Sequence, residues 1–183
     1  MKAFETQKEK LYWIRIKDGK FVYWNGEKEI FYDEMKGQIV SYYIKQNEYN
    51  GQKFDECIFT VICETEKYLL SFRVDSSYFR IFCNYLPNLD LNESVLIKVK
   101  MDVIQGKKKG AIFVKQFEKW IKAFFVKDKM QDYPAPKIIN LGDKIMYDNT
   151  EQINYWKTYL NNRFEVQSIR NQFINDDPDD LPF

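Results

Sequence analysis

The chain has 183 residues, of which 45% are hydrophobic and 17% aromatic, and its formal net charge is +1. This length suits one domain with an appendage, and the apolar content is ample for a buried core. The sequence has no histidine, which removes the commonest general base, the Ser–His and Cys–His dyads and most zinc sites. With no apolar run near the roughly 18 residues of a membrane span and no signal-peptide apolar region, we expect a soluble, intracellular protein.

The net charge is unevenly distributed along the chain. Residues 164–183 hold five acids and one base, a net charge of −4, which leaves +5 for residues 1–163. A basic body with an acidic end is typical of a polyanion-binding protein whose own tail can compete for the binding groove.

The first residues, 1–35, are predicted to form an N-terminal β-hairpin extension. The short aromatic and β-branched runs KLYWIRIK, FVYW and EIFY are separated by KDGK and NGEK, which are hairpin turn signals. From Gly37 onward QIVSYYIKQ, DECIFTVICE and KYLLSFRV predict three more strands, with a loop, NEYNGQ, at 47–52.

A helix is predicted next, in SSYFRIFCNYLPNL. Phe79, Phe82 and Cys83 follow helical spacing, Ser76 or Ser77 can cap the start, and a proline follows. The strand VLIKVKMDV then alternates cleanly, and the turn QGKKKG at 105–110 joins it to AIFVKQF. The stretch KWIKAFFVK either continues that strand or adds another.

The three cysteines are expected to be reduced. They form no C-x-x-C pair, and Cys57 and Cys63 are predicted on one strand, where six residues span roughly 20 Å. That separation is too great for a disulfide. We therefore interpret Cys57, Cys63 and Cys83 as core or strand residues.

The C-terminal third begins with a stretch that has no regular pattern of apolar residues. Residues 128–148 hold two prolines and a glycine and are predicted to be a linker or wrapping segment. A helix is predicted over 149–174, capped by Asn149 or Thr150, with a possible break near Asn162. Its apolar stripe consists of Ile153, Trp156, Leu160 and Phe164, continued after a slip in phase by Val166, Ile169 and Phe173.

The order of elements indicates the fold class. Five strands with a helix between the third and the fourth are the order of the OB-fold, a small five-stranded Greek-key barrel. The sequence therefore predicts a mainly β protein, with an OB barrel at 36–127, an N-terminal hairpin extension and a C-terminal helical segment.

Such barrels bind oligonucleotides across strands two and three, flanked by the loops after strands one and four. Single-strand binding needs cations along the phosphates and rings on which bases stack. The candidate residues for binding single-stranded DNA are Trp13, Arg15, Lys17, Tyr23, Trp24, Tyr43, Lys45, Tyr49, Lys53, Phe59, Arg73, Lys98, Lys100, Lys107, Lys108, Lys109, Phe113 and Lys115. Lysines that point outward are also typical of any solvent-exposed strand. The two tryptophans, Trp13 and Trp24, could instead anchor the hairpin onto the barrel.

The last eight residues, DDPDDLPF, resemble the acidic C-terminal tip of the single-stranded DNA-binding proteins of bacteria and their phages. Asp179, Asp180, Leu181, Pro182 and Phe183 match the acid-acid-apolar-Pro-Phe ending of that family. There the tip docks replication, repair and recombination enzymes by carboxylate capture in a basic-rimmed apolar pocket. The resemblance implies docking of such partners by a tail at 175–183, through Asp176, Asp177, Asp179, Asp180, Leu181, Pro182 and Phe183.

The family's long Gly/Gln/Pro-rich linker is missing, and the predicted helix stands in its place. The body is closer to divergent phage-encoded members, so the oligomeric state is not transferred. The resemblance implies a place in the cytoplasm of a bacterial or phage-infected cell, with the nucleoid. It also implies a role in coating single-stranded DNA during replication, recombination or repair.

Other functions remain open at this point. The tail can be a solubilising end, and a strand-annealing or recombination-mediator protein would share fold and tail. A protein-interaction barrel that does not meet DNA is a third possibility. A nuclease would need carboxylates gathered on a rigid scaffold to hold Mg²⁺, whereas the acids here are scattered or lie in the tail. We therefore expect no enzyme, no cofactor and no metal.

Overall fold

The computed structural model describes residues 11–126, 132–142 and 144–175, with side chains to Glu165. The chain divides into two compact units, Met1–Val126 and Lys127–Phe183. Each unit is described by itself.

The described part of the first unit is one mixed β-sheet of nine strands with a short helix. The strands are β1 (Leu11–Lys17), β2 (Lys20–Trp24), β3 (Glu29–Tyr32), β4 (Glu34–Tyr49), β5 (Gln52–Cys63), β6 (Glu66–Arg73), β7 (Val95–Ile104), β8 (Lys107–Gln116) and β9 (Lys119–Trp120). Their order in the sheet is β3-β2-β1-β6-β5-β4-β7-β8-β9. Neighbours are antiparallel except β1 and β6, which are parallel. The predicted mainly β class is confirmed, and no strand pairing among the described residues closes the sheet.

The long strand β4 changes partner along its length. Residues Glu34–Gly37 pair with β7, and the residues from Gln38 onward pair with β5, with an irregularity between Ile39 and Ser41. A Cβ atom on Gly37 would lie 2.7 Å from the carbonyl oxygen of Ile62. Glycine is therefore required at this position, where the β4 backbone packs against Ile62 of β5.

The hairpin loops are shorter than the sequence suggested. The β4–β5 turn is Asn50–Gly51 and the β7–β8 turn is Gln105–Gly106, and all four residues have positive φ. Two-residue turns of this kind match the right-handed twist of the strands, so pairing continues up to the turn. The prediction of a turn over 105–110 is corrected, because Lys107–Lys109 are part of β8.

Helix α1 (Ser77–Cys83) follows β6, as predicted. The Ser76 side chain caps it by accepting a hydrogen bond of 3.2 Å from the backbone N–H of Phe79. Phe79, Phe82 and Cys83 are fully buried. A 3-10 turn at Leu86–Asn88 follows, with its proline near the start. The residues that follow helical spacing in the sequence thus form the face of α1 that packs into the core.

The second unit holds a β-hairpin and a long helix. Strands β10 (Lys137–Leu141) and β11 (Lys144–Asp148) pair antiparallel, where a linker was expected. Helix α2 (Thr150–Asn175) runs without the break considered at Asn162. Trp156 and Leu160 are fully buried, and the Trp156 indole N–H donates to the Tyr133 hydroxyl over 2.9 Å. The stripe members Val166, Ile169 and Phe173 lie outside the described side chains.

Cys57, Cys63 and Cys83 form no disulfide; Cys57 and Cys83 are buried and Cys63 is half-buried. Burial raises the pKa of the Cys83 thiol. Among the described residues, no helix has the length and apolar character needed to cross a membrane.

Candidate nucleic-acid interface

Eight of the predicted DNA-binding residues lie on β2, β1, β6 and β4 and share one side of the sheet. Residues paired across neighbouring strands point to the same side of a sheet, so the register can be followed from strand to strand. Arg15 pairs with Ser71, Ser71 with Ile58, and Ile58 with Tyr43, which gives one row across four strands. Each of the other residues lies an even number of positions along its strand from a residue of this row or, for Trp24 on β2, from the residue that pairs with Arg15. We call this surface the aromatic–basic face; it carries Trp13, Arg15, Lys17, Trp24, Tyr43, Lys45, Tyr49 and Arg73.

Trp13 and Lys45 reach toward each other across this face. Two strands separate β1 from β4, so their backbones lie roughly 14 Å apart. The Lys45 ammonium nevertheless lies 4.3 Å from the centre of the Trp13 ring. Both side chains therefore lie flat over the strands between them. Ile58, which belongs to this side of the sheet, is fully buried.

Four rings of the aromatic–basic face are accessible to a ligand. The exposed fraction is 38% for Trp13, 43% for Tyr43, 58% for Trp24 and 71% for Tyr49. The Trp13 ring lies over the middle of the face, and Tyr49 stands beside the β4–β5 turn. Exposed rings interleaved with cations are the arrangement on which successive bases of a single strand stack.

The cations on β1 share one carboxylate. The Lys17 ammonium lies 2.7 Å from Glu29, and the Arg15 guanidinium also donates to Glu29. The hydrogen bond from Lys17 lowers the pKa of the Glu29 carboxyl, and the hydrogen bond from Arg15 contributes less to the same shift. Pairs this exposed contribute little to stability, so a phosphate can replace the carboxylate at small cost.

The cations nearer the centre are also paired. Lys45 lies 3.7 Å from Glu56, and Arg73 lies 2.6 Å from Asp75 and 4.8 Å from the centre of the Phe54 ring. The hydrogen bond from Arg73 to Asp75 raises the pKa of the guanidinium. The four cations of the face thus stand beside three carboxylates, a net charge of +1. Phe54, which sequence reasoning missed, was visible as an aromatic residue next to Lys53.

A second group of rings and lysines lies on the same side of the sheet, beyond β4. Lys98 pairs with Phe113, and Lys115 pairs with Trp120 on the adjacent strand. The Phe113 and Trp120 rings meet edge to face at 6.4 Å, and the Lys100 ammonium lies 5.9 Å from the Phe113 ring. We call these five residues the β7–β8 patch. Sequence reasoning missed Trp120 because the two-residue strand β9 has no readable period.

The lysines of the β7–β8 patch differ in their partners. Lys98 lies 2.6 Å from Glu34, and Lys115 donates to Glu118. That hydrogen bond lowers the pKa of the Glu118 carboxyl. These pairs are partly exposed and can exchange for phosphate at little cost, as on the aromatic–basic face.

The three consecutive lysines of β8 point to two different sides. Lys107 and Lys109 pair with Ile104 and Asp102, on the side that carries the β7–β8 patch. Lys108 points to the other side, where its ammonium lies 2.8 Å from Asp18. Their hydrogen bond raises the pKa of Lys108 and lowers the pKa of Asp18.

Like Lys108, three further candidates belong to the side of the sheet opposite the aromatic–basic face. Phe59 is fully buried between Phe72 and Phe82, with ring centres 5.9 and 5.1 Å away, so the expectation of a stacking role is corrected. Tyr23 and Lys53 belong to the opposite side of the sheet by register. Successive residues of a strand point to opposite sides of the sheet, and the register places these three residues on the side opposite the aromatic–basic face.

Tyr23 instead lines a half-open cavity of about 400 Å³ on that opposite side. Its ring meets Tyr12 edge to face at 5.2 Å, and Tyr12 stacks on Tyr68 at 5.0 Å. The hydroxyls of Tyr12 and Tyr68 both donate to Glu66. The bond to Glu66 raises the pKa of the Tyr68 hydroxyl.

The residues assigned to partner docking, Asp176 to Phe183, lie outside the described residues. Among those described, no cluster of three or more His, Cys, Asp or Glu side chains is arranged to hold a metal ion. No protein-family model matches the chain, and the curated proteins and the solved structures give no significant match.

Proposed function

We propose that this protein binds single-stranded DNA without sequence preference and protects it during replication, recombination or repair. The observation that carries the proposal is the aromatic–basic face, where four exposed rings and four cations lie together on one side of the sheet, on strands β2, β1, β6 and β4. Rings accept any base, and cations follow the phosphates.

The strand order supports an OB-type barrel as the fold of this binding unit. Strands β4 to β8 run in the order expected of an OB-fold, with α1 between the third and the fourth. The first of them, β4, pairs with both the second and the fourth. The aromatic–basic face covers β5 and β6, strands two and three of such a unit, where OB-folds bind oligonucleotides. The strands β1 and β2 extend that face with Trp13 and Trp24.

Stacking contributes more than charge to the binding we propose. The cations of the aromatic–basic face have carboxylate neighbours, and their net charge together is +1. Each phosphate must displace one of these carboxylates. We therefore expect affinity to fall less steeply with salt than it does for a groove lined by unpaired lysines.

The test is a titration with poly(dT) at about 50 and 300 mM salt, read by intrinsic Trp and Tyr fluorescence and by anisotropy of labelled DNA. We expect quenching that saturates at a fixed number of nucleotides per protein. A duplex of the same length serves as the control and should bind more weakly, because its bases are not free to stack. No change in either signal with poly(dT) would defeat the proposal.

The acidic segment 176–183 is part of the same proposal, as the site that recruits replication, repair or recombination enzymes. Its resemblance to the family's acidic tip is the support, and its charge can steer a basic partner toward it. Deleting 176–183 should leave affinity for single-stranded DNA unchanged or tighter and should abolish capture of such enzymes. A truncated protein with an unchanged set of captured enzymes would contradict the docking role.

A further inference from the structure

The hairpin of β10 and β11 exposes apolar side chains on both of its sides. Every described residue from Lys137 to Tyr147 is exposed. The large apolar ones, each 43–63% exposed, are Ile138, Ile139, Leu141, Ile145, Met146 and Tyr147. A soluble monomer rarely leaves so many neighbouring apolar groups in water, so this surface is suited to a partner.

The hairpin is also too small to be stable alone. A two-stranded ribbon is marginal in water, and three or more strands are normally needed. In the part of the chain that the structure describes, β10 and β11 form a sheet of their own, so each has one edge without a neighbouring strand. Another strand added to one of these edges would supply the missing pairing.

We propose that β11 pairs antiparallel with β11 of a second copy of this chain, about a two-fold axis at Met146. A two-fold interface is self-complementary, so each strand meets its own sequence in reverse. In this register Met146 faces Met146, Ile145 faces Tyr147, and Lys144 faces Asp148 of the other copy at both ends. Apolar groups thus meet at the centre, with opposite charges outside them, a favourable set of cross-strand pairs.

The free edge of β10 does not offer the same match. Pairing β10 with itself about Ile139 would set Lys137 opposite Leu141, with no acid to meet the lysine. Lys137 lies 2.9 Å from Glu151 in the first turn of α2, and Asp148 accepts hydrogen bonds from Thr150, so each strand has one charged end engaged within its own chain. Charge complementarity therefore favours β11.

Pairing through β11 would also gather the apolar side chains. Ile145 and Tyr147 share one side of the hairpin with Ile138, since Ile138 pairs with Tyr147. In the four-stranded sheet these three residues from each copy form one continuous apolar strip. The interface uses no residue of the aromatic–basic face, so the dimer should form without DNA.

The test is the mass of the full chain in solution without DNA, measured by sedimentation equilibrium over a range of concentrations. We expect a dimer for the unsubstituted chain and a monomer for Met146→Glu, which sets two carboxylates face to face across the axis. Ile139→Glu is the matched control, with the same charge on the same side of the hairpin but on β10. It should remain dimeric.

A cross-linking experiment tests the register. Met146→Cys should cross-link to its copy with a short bismaleimide, since directly opposed Cβ atoms lie roughly 5 Å apart. Ile139→Cys should give no more product than the unsubstituted chain, because its distance to the copy is roughly 14 Å across three strand spacings. A monomer at all concentrations, or a dimer that survives Met146→Glu, would overturn the proposal. Equal cross-linking of the two cysteine variants would overturn the register.

Discussion

Replacing Trp13 with alanine is the sharpest test of the aromatic–basic face. The substitution removes the ring that lies over the middle of the face and leaves the charges of all four cations unchanged. It also removes the surface on which Lys45 rests, 4.3 Å from the ring centre. Trp13 is 38% exposed, so part of the ring is open to a base and the rest covers the sheet.

The expected loss of affinity follows from the energy of one stacked base. Removing a stacking ring weakens binding by about 1–3 kcal/mol, which corresponds to roughly a 5- to 150-fold weaker affinity. The protein should also lose some stability, because part of the Trp13 ring is buried against the sheet. That loss should be smaller than the roughly 3–5 kcal/mol of a fully buried aromatic residue.

The assay is anisotropy of a labelled oligo(dT) at several salt concentrations, with the fold checked by thermal unfolding. Because the ring is uncharged, the lines of log K against log salt should shift downward in parallel. Tyr32→Ala is the matched control: Tyr32 is 50% exposed but belongs to the opposite side of the sheet. Trp13→Phe should retain much of the affinity, since a smaller ring still stacks.

Two results would refute the reasoning. A folded Trp13→Ala protein with unchanged affinity would mean that no base stacks there. An equal loss in Tyr32→Ala would mean that the effect is not specific to the face.

Two further predictions concern charge and backbone geometry. Replacing Lys107 and Lys109 together with alanine should reduce the slope of log K against log salt by about 0.7 for each phosphate that the protein no longer binds. Lys108→Ala, which removes a lysine already bonded to Asp18 on the other side, should change it less; equal slopes in the two variants would contradict this placement. In urea unfolding, Gly51→Ala should cost about 1–2 kcal/mol, because φ is +74° at an open turn. Gly19→Ala has the same φ but would set its Cβ 2.4 Å from the backbone nitrogen of Met101, so it should cost clearly more, and similar losses would argue against that close packing.

Local signals in the sequence predicted the elements well where the interactions are themselves local. The cap of α1 is an example, since a serine side chain and a backbone N–H three residues on need nothing else from the fold. The alternation in β7 similarly separates Val95, Ile97 and Val99, which are buried, from its lysines. Alternation failed in β5, where Ile58 and Phe59 are both fully buried. A strand that is buried on both sides has no alternation of polar and apolar residues, and for this reason the sequence analysis placed Phe59 on the surface.

Turns were misjudged for a different reason. Gly and charged residues beside a turn signal were taken as a loop, whereas the tight two-residue turns let the strands pair to their ends. The hairpin in 128–148 was missed in a similar way, because the nearby prolines suggested a linker. In the structure KIINL and KIMYD pair as strands on either side of a turn whose glycine has a φ of +61°.

The sequence by itself determined the mainly β class, the position of α1 and which residue types could meet a nucleic acid. The tertiary structure alone decided which of them stand together. The parallel pairing of β1 with β6 joins segments more than fifty residues apart, and no local pattern encodes it. That pairing brings Trp13 to within 4.3 Å of Lys45, and the phase of each strand then assigns Arg15 to the aromatic–basic face and Tyr23 to the opposite side. Side-chain type is a property of the residue, whereas a binding face is a property of register, which long-range strand pairing sets.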